Sequence, residues 1–426
     1  MPATKTDYHV SVNTSNPDSS SISDVTNQAD QTPWTKVLLL FAAGCTLSLN
    51  MGKVPPALAA IAESLELSLV HVGWVVSIFG AIVACLGFPM ALVAARYGYV
   101  RSVLLGLLLS VVAGWAGSRS DTLGPLLFFR ALEGTAWLLV AVSMPLLLTA
   151  LAKQRDHPVV LSLWGAFVPI GMIAAMLYTP PLLAYSSWQL VWKLTALLTA
   201  LATLIVWAIT RQINPPVQLQ LPLAKIGKVV LRAAPLAMAG CFICYSALYV
   251  MVTAFIPLIL IQLHELNVAL ASALGAMIIV GNAVGNICAG RLIRAGVSRY
   301  SLIYFAMFSM GCLAVPIYIE QTPLIFRITC GFLFSCFGGM VPGTLFASAP
   351  LVVVTVAHVV LVNGLIMQAA GLGQLLGPIS QTFLVAHGNN WSYAIAAALL
   401  FVVTGLVFGR YFQKYGPAAG TNKSKE

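Results

Sequence analysis

Four charged side chains fall inside long apolar runs of this 426-residue chain: Lys53, Arg130, Glu133 and Arg327. A charge in hydrocarbon is costly unless it is paired or hydrated, so each marks a buried ion pair or a path for solute or protons. Arg130 and Glu133 are three residues apart, close enough to meet on one helix face. Two readings stay open for them: a self-neutralising structural pair, or a carboxylate that takes up and releases a proton as the arginine moves between it and a substrate. Glu133 is the one acid far from both ends of its run, and so is the candidate for proton coupling. Lys53 precedes Pro55 and Pro56, which loosen a helix and free its carbonyls. It either faces a central cavity or snorkels its ammonium to the interface. Arg327 has no acid within a turn. With Lys53, Arg130 and Arg327 around one cavity, the cargo would be an anion.

Asn50, Trp137, Tyr245, Tyr249, Asn282, Gln368 and Gln374 could complete such a pocket, or could instead pack helices and bond between them. Gly281/Gly285 and Gly373/Gly377 read as close-packed seams between two halves, and Pro169, Pro342 and Pro378 as flex points or static kinks. No phosphate-binding Gly-x-x-x-x-Gly-Lys-Ser/Thr loop is present, which argues against ATP hydrolysis. His264-Glu265 lacks the second histidine of a metalloprotease helix, and Cys241-Phe-Ile-Cys244 lacks a second ligand pair. No catalytic residue, metal site or cofactor is expected, and the eight cysteines read as small packing residues.

The elements that must position these groups are membrane helices. With 59% hydrophobic and 8% charged residues, the chain lies far from a soluble protein's usual roughly 25% charged content. The formal charge of +10 resides in short turns between apolar runs, which argues against nucleic acid and for charge-oriented insertion. Twelve runs are each long enough to cross the bilayer: 37–60, 72–95, 100–116, 123–150, 159–184, 190–210, 233–260, 268–289, 302–319, 324–346, 357–385 and 391–408. None alternates as a barrel strand would. The expected fold is therefore an all-α membrane protein with twelve transmembrane helices in two pseudo-symmetric six-helix bundles. Residues 1–35 read as a disordered tail without a cleavable signal, 36–210 as the first bundle, 211–232 as a Pro-containing linker, 233–412 as the second bundle and 413–426 as a tail. Basic residues collect in alternate turns, against Arg119 and Lys193 opposite, so both termini should be cytoplasmic, in a bacterial inner membrane. Asn390-Trp-Ser392 is read as a chance glycosylation triplet.

The halves echo one another. The turn Arg96-Tyr-Gly98-Tyr-Val-Arg101 returns as Arg294-Ala-Gly296-Val-Ser-Arg299, since 294 − 96, 296 − 98 and 299 − 101 all equal 198. Arg130 and Gly134 return as Arg327 and Gly331 at 197, and Gly87 as Gly285 at 198. A constant register over half a chain points to duplication.

These residues carry a family resemblance. From residue 37 to 412 the chain resembles the major facilitator superfamily of secondary transporters. Arg96 and Gly98 fit its loop between helices two and three, although Ala91 and Ala95 stand where that loop has Gly and Asp. Arg130 and Gly134 fit its Arg-x-x-x-Gly on helix four, and Trp188 and Trp391 a recurrent tryptophan. Asn50-Met-Gly-Lys-Val-Pro-Pro56 and Trp164-Gly-Ala-Phe-Val-Pro-Ile-Gly171 look like its cyanate permease and nitroimidazole-transporter branch. The resemblance implies alternating access by a monomeric, non-enzymatic carrier of a small molecule, and Lys53, Arg130 and Arg327 set against Glu133 alone make the expected cargo an anion, with protons as a coupling partner. The turns at Arg96, Gly98, Arg101 and Arg294, Gly296, Arg299 would gate it. The rival readings are drug efflux at a Glu133 site lined by Trp137 and Phe128, and a transporter-like sensor.

Overall fold

The computed structural model describes residues 31–156, 160, 163–211, 231–352 and 356–416. Residues 1–30 of the expected N-terminal tail (1–35) fall outside these residues, as do most of the linker at 211–232 and the chain's last ten residues, while Trp34 and Thr35 already begin the first helix. Thirteen helices of eleven residues or more are formed among the described residues. They are α1 (Trp34–Gly52), α2 (Val54–Ser64), α3 (Leu69–Tyr97), α4 (Tyr99–Gly117), α5 (Leu123–Leu151), α6 (Phe167–Tyr185) and α7 (Trp188–Thr210) in the first half. The second half has α8 (Ala233–His264), α9 (Val268–Arg294), α10 (Arg299–Tyr318), α11 (Leu324–Ser348), α12 (Val356–Gly388) and α13 (Ala394–Tyr415). A helix satisfies its backbone groups within its own segment, which is why apolar runs of this length fold this way in lipid. Eleven helices among the described residues are long and apolar enough to cross a membrane. The first of these is continued by α2 beyond a break, and the 33-residue α12, which is not among the eleven, packs against α3 and α8.

The duplication is written in backbone detail. Gly98 and Gly296 both take positive φ, +85° and +90°, at the short turns that join α3 to α4 and α9 to α10. Only glycine adopts that region without strain. Glu66 and Glu265, 199 apart (265 − 66), share φ near +50°, at 52° and 53°. Ser68 and Asn267 at the same offset cap α3 and α9, each side chain accepting from the N–H three residues on. The Trp188 indole donates to Ser64 Oγ at 2.8 Å and that of Trp391 to Gln262 Oε1 at 2.9 Å, so each half pins the end of its first span with a tryptophan.

The bundles meet through α2, α3 and α6 on one side and α8, α9 and α12 on the other. Val54, Leu58 and Ile61 of α2 join Phe255 and Ile259 of α8 in one apolar core, and Met172 and Met176 of α6 pack on Ala276 and Ile279 of α9. The other half of the first span, α1, packs on α5, α6 and α7 of its own bundle. Contact is therefore sealed at the end of the molecule away from Trp34 and Tyr415, apart from the long α3–α12 seam.

That seam corrects an expectation. Gly281 and Gly285 approach Phe332 and Cys336 of α11, and Gly373 and Gly377 approach Ile243 and Ala247 of α8, so both pairs close the second bundle internally. Between the halves lie Gly73 against Thr382, Gly80 against Gly371 and Gln374, and Gly87 against Gln368. Spacing identifies a small face without saying which neighbour fills it. Pro342 and Pro378 lie inside their helices, whereas Pro169 opens α6 after a turn at Ala166, in the first turn where its missing N–H costs nothing.

A methyl on Gly371 would meet the backbone N of Ala84 and, at 2.7 Å, the carbonyl of Gly80. Gly371→Ala should lower stability by ~1–3 kcal/mol by forcing the bundles apart. Thermal unfolding of the purified protein checks this, and an unchanged transition would argue against the close seam.

Candidate functional site

The first span breaks at Lys53, which ends α1 and begins α2. Pro55 and Pro56 supply no N–H to the carbonyls of Met51 and Gly52 a turn earlier, which loosens the helix at the break. Just before it, Arg130 Nη1 on α5 bonds the Asn50 carbonyl at 2.8 Å. The same nitrogen lies 2.5 Å from Glu133 Oε2, while Lys53 Nζ lies 2.8 Å from Glu133 Oε1 and 2.7 Å from Asn50 Oδ1. Asn50 Nδ2 donates to Ser110 Oγ of α4 at 3.0 Å. The Trp192 ring of α7 covers the lysine ammonium at 4.2 Å, and Phe79 of α3 lies 5.4 Å from the Arg130 guanidinium. Five helical elements of the first bundle thus converge on one carboxylate.

Lys53 and Glu133 are fully enclosed and Arg130 is 2% exposed. This settles the choice left open for Lys53: it neither snorkels nor stands free in a cavity, because a partner 80 residues away holds it. Burying ions is costly, and the attraction compensates only when the remaining valences are filled. Both Glu133 oxygens and the lysine ammonium meet that condition. The cluster carries two cations against one anion. Two N–H groups flanking Phe79, Arg130 Nε and Trp137 Nε1, have no partner among the described residues, and the Trp137 ring lies 5.6 Å from that of Phe79. Trp137 also stacks on Phe167, which stacks on Trp164 at 3.9 Å.

Arg327 is buried but is not brought to this cluster. Its guanidinium bonds the carbonyls of Ile317, Ile319, Glu320 and Thr322 at 2.7–3.3 Å, capping the end of α10. The orphan carbonyls of a helix C-terminus attract a cation on local grounds. The expected three-cation cavity is therefore two cations with their acid, plus a helix cap elsewhere. Tyr245 and Asn282 meet at 2.9 Å within the second bundle, with Tyr249 stacked on Tyr245. Gln368 reaches the Ala84 carbonyl across the seam at 3.4 Å. Of the turn residues, Arg101 and Arg294 are exposed and Arg299 half-buried, while the side chain of Arg96 lies outside the described residues. Phe128 is 59% exposed on the outer face, away from the cluster it was expected to line. Ser110, Trp192 and Phe79 escaped the sequence reading, since nothing local marks a serine or an aromatic of a membrane helix as the neighbour of a charge.

Residues 40–359, about three quarters of the chain, match the family model of the Major Facilitator Superfamily. The chain belongs to that superfamily. As a major facilitator it is a multi-pass integral membrane transporter. Over 166 residues it is 24% identical to the galactose-proton symporter of Escherichia coli strain K12, a match covering 38% of this chain and 35% of that protein. The match thus spans about a third of that relative's length. The crystal structure of a bacterial homologue of the human lysosomal transporter Spinster, inward-facing and occupied, is similar with a TM-score of 0.75 at 15% identity, covering 91% of this chain and 99% of that one. A D-xylose-proton symporter gives 0.70 at 13%, covering 91% and 98%. At such identities the structures share the fold alone.

Removing one partner of a buried pair costs about 3–5 kcal/mol where it strands a charge. Glu133→Gln leaves two cations facing each other, whereas Lys53→Met leaves the neutral Arg130–Glu133 pair. Thermal unfolding should therefore rank Glu133→Gln as the more damaging. The reverse order would mean the carboxylate is not the centre of the cluster.

Proposed function

We propose that this chain is a secondary active transporter, not an enzyme, that carries a small anion with protons by rocking residues 36–210 against 233–412. The observation that carries the reading is the surplus cation of the Lys53–Glu133–Arg130 cluster, beside two unpartnered N–H donors at Phe79. An anion that accepted from Arg130 Nε and Trp137 Nε1 would neutralise the surplus and fill both valences. Glu133 is the proton-coupling group in this reading: a proton on it would release its hold on Arg130 and Lys53 and free them for the substrate. The likeness to the cyanate permease branch fits, cyanate being a small anion. The basic turns support cytoplasmic termini, and on that orientation the seal described above closes the outer face. The turns at Gly98 and Gly296, with Arg96, Arg101, Arg294 and Arg299, are where the halves would engage when the inner face closes.

A second reading, proton-coupled transport of a neutral sugar, has the names of two similar proteins in its favour. A neutral sugar would leave the surplus charge uncompensated. Purified protein in proteoliposomes separates the two. With acid outside, uptake of a labelled small anion such as cyanate or acetate should exceed that of galactose or xylose, and Glu133→Gln should lower the proton-driven part by about tenfold or more, a loss of ~1.4 kcal/mol at the barrier. Sugar uptake without anion uptake would sink the anion reading. An anion flux indifferent to both the gradient and Glu133→Gln would sink the coupling.

A further inference from the structure

A groove of about 710 Å³ opens on the outside of the second bundle between α10 and α13, remote from the charge cluster. Tyr304 of α10 and, from α13, Val403, Val407, Arg410, Tyr411 and Lys414 line it. These α13 residues share one face at spacings of three, four and seven, so the surface changes character along the helix axis. Leu400, Val403 and Val407 are 65%, 59% and 50% exposed, with Phe308 of α10 at 63%, so the surface in and beside the groove is apolar. In the last turns the same face becomes cationic. Neither α10 nor α13 contains an acid, so nothing on either helix neutralises Arg410 and Lys414.

We propose that this groove binds an anionic phospholipid, its phosphate between Arg410 and Lys414, the Tyr411 hydroxyl at the headgroup and an acyl chain along Val403 and Val407. Two features separate this from a plain basic helix end. Cations in a last turn complement the helix dipole wherever they occur, but that role needs no cleft with apolar walls. A free phosphate would engage the cations and leave the walls unused, whereas a lipid matches both in the order in which they lie along the helix. Basic side chains at a membrane surface attract anionic headgroups, each strengthening binding by about fivefold.

Native mass spectrometry of the full chain in detergent tests this, with phosphatidylglycerol, phosphatidylcholine of the same acyl chains, or inorganic phosphate added. The wild type should retain phosphatidylglycerol over phosphatidylcholine. The double substitution Arg410→Gln with Lys414→Gln should bind phosphatidylglycerol about 25-fold more weakly, fivefold for each charge. Arg211→Gln, a surface arginine at the end of α7, should leave it unchanged. If the double variant fails to fold, as judged by its thermal transition, each single substitution should show the fivefold loss. The proposal is overturned by equal retention of the two lipids, by an equal loss from Arg211→Gln, by displacement of the lipid by inorganic phosphate, or by a dimer insensitive to lipid, which would make the groove a contact between copies.

Discussion

The first bundle is organised by the constraint that Glu133 must never be left alone in a medium that cannot solvate it. Lys53 and Arg130 meet that demand from the broken first span and from α5 itself, and Asn50 links the lysine to Ser110 on α4. With Trp192 over the ammonium, α1, α4, α5 and α7 are tied through one set of polar contacts. Separating α1 from α5 would strand a charge in hydrocarbon, so these contacts hold the helices as one unit. On the proposed reading, motion would fall to the surface between the bundles, where Gly73, Gly80 and Gly87 of α3 lie against Thr382, Gln374 and Gln368 of α12 and no charge is at stake.

The two halves share a scaffold and differ in chemistry. At the offsets that relate the positive-φ glycines and the two arginines, Asn50, Lys53 and Glu133 correspond to Leu248, Met251 and Cys330. The second bundle keeps the arginine without the acid or the lysine. Arg327 therefore turns to the carbonyls at the end of α10, the nearest groups able to satisfy its donors. Duplication preserved what backbone geometry requires, namely caps, turns and pinning tryptophans, while each half's polar side chains followed whatever partners its own sequence supplied.

This explains which features could be read from the sequence. Spans, the repeat and the Arg130–Glu133 pair are local or periodic, and periodicity survives without knowledge of neighbours. The fate of Lys53 depended on an acid 80 residues away, and that of Arg327 on carbonyls exposed only once α10 ends near it. The glycine seams failed as predictions for the same reason. A small-residue face says that a helix approaches closely, and the choice among several possible neighbours is made by the whole assembly.

A carrier must be stable when empty as well as when loaded, and the cluster meets the first demand through its own members. Were Lys53 and Arg130 unpaired, the empty site would be so costly that an anion, once bound, could not leave. On the proposed reading, Glu133 and the Asn50 carbonyl would compete with a bound anion for the same donors, so a substrate would gain only the difference between its contacts and theirs. A site built this way trades affinity for release. Because a ligand shifts a conformational equilibrium only by its differential affinity for the two states, transport on this reading would turn on how the competition for Arg130 and Lys53 changes between states of the carrier. An acid that can be protonated is a suitable competitor for that purpose, since adding or removing one proton alters its claim on both cations without moving any helix.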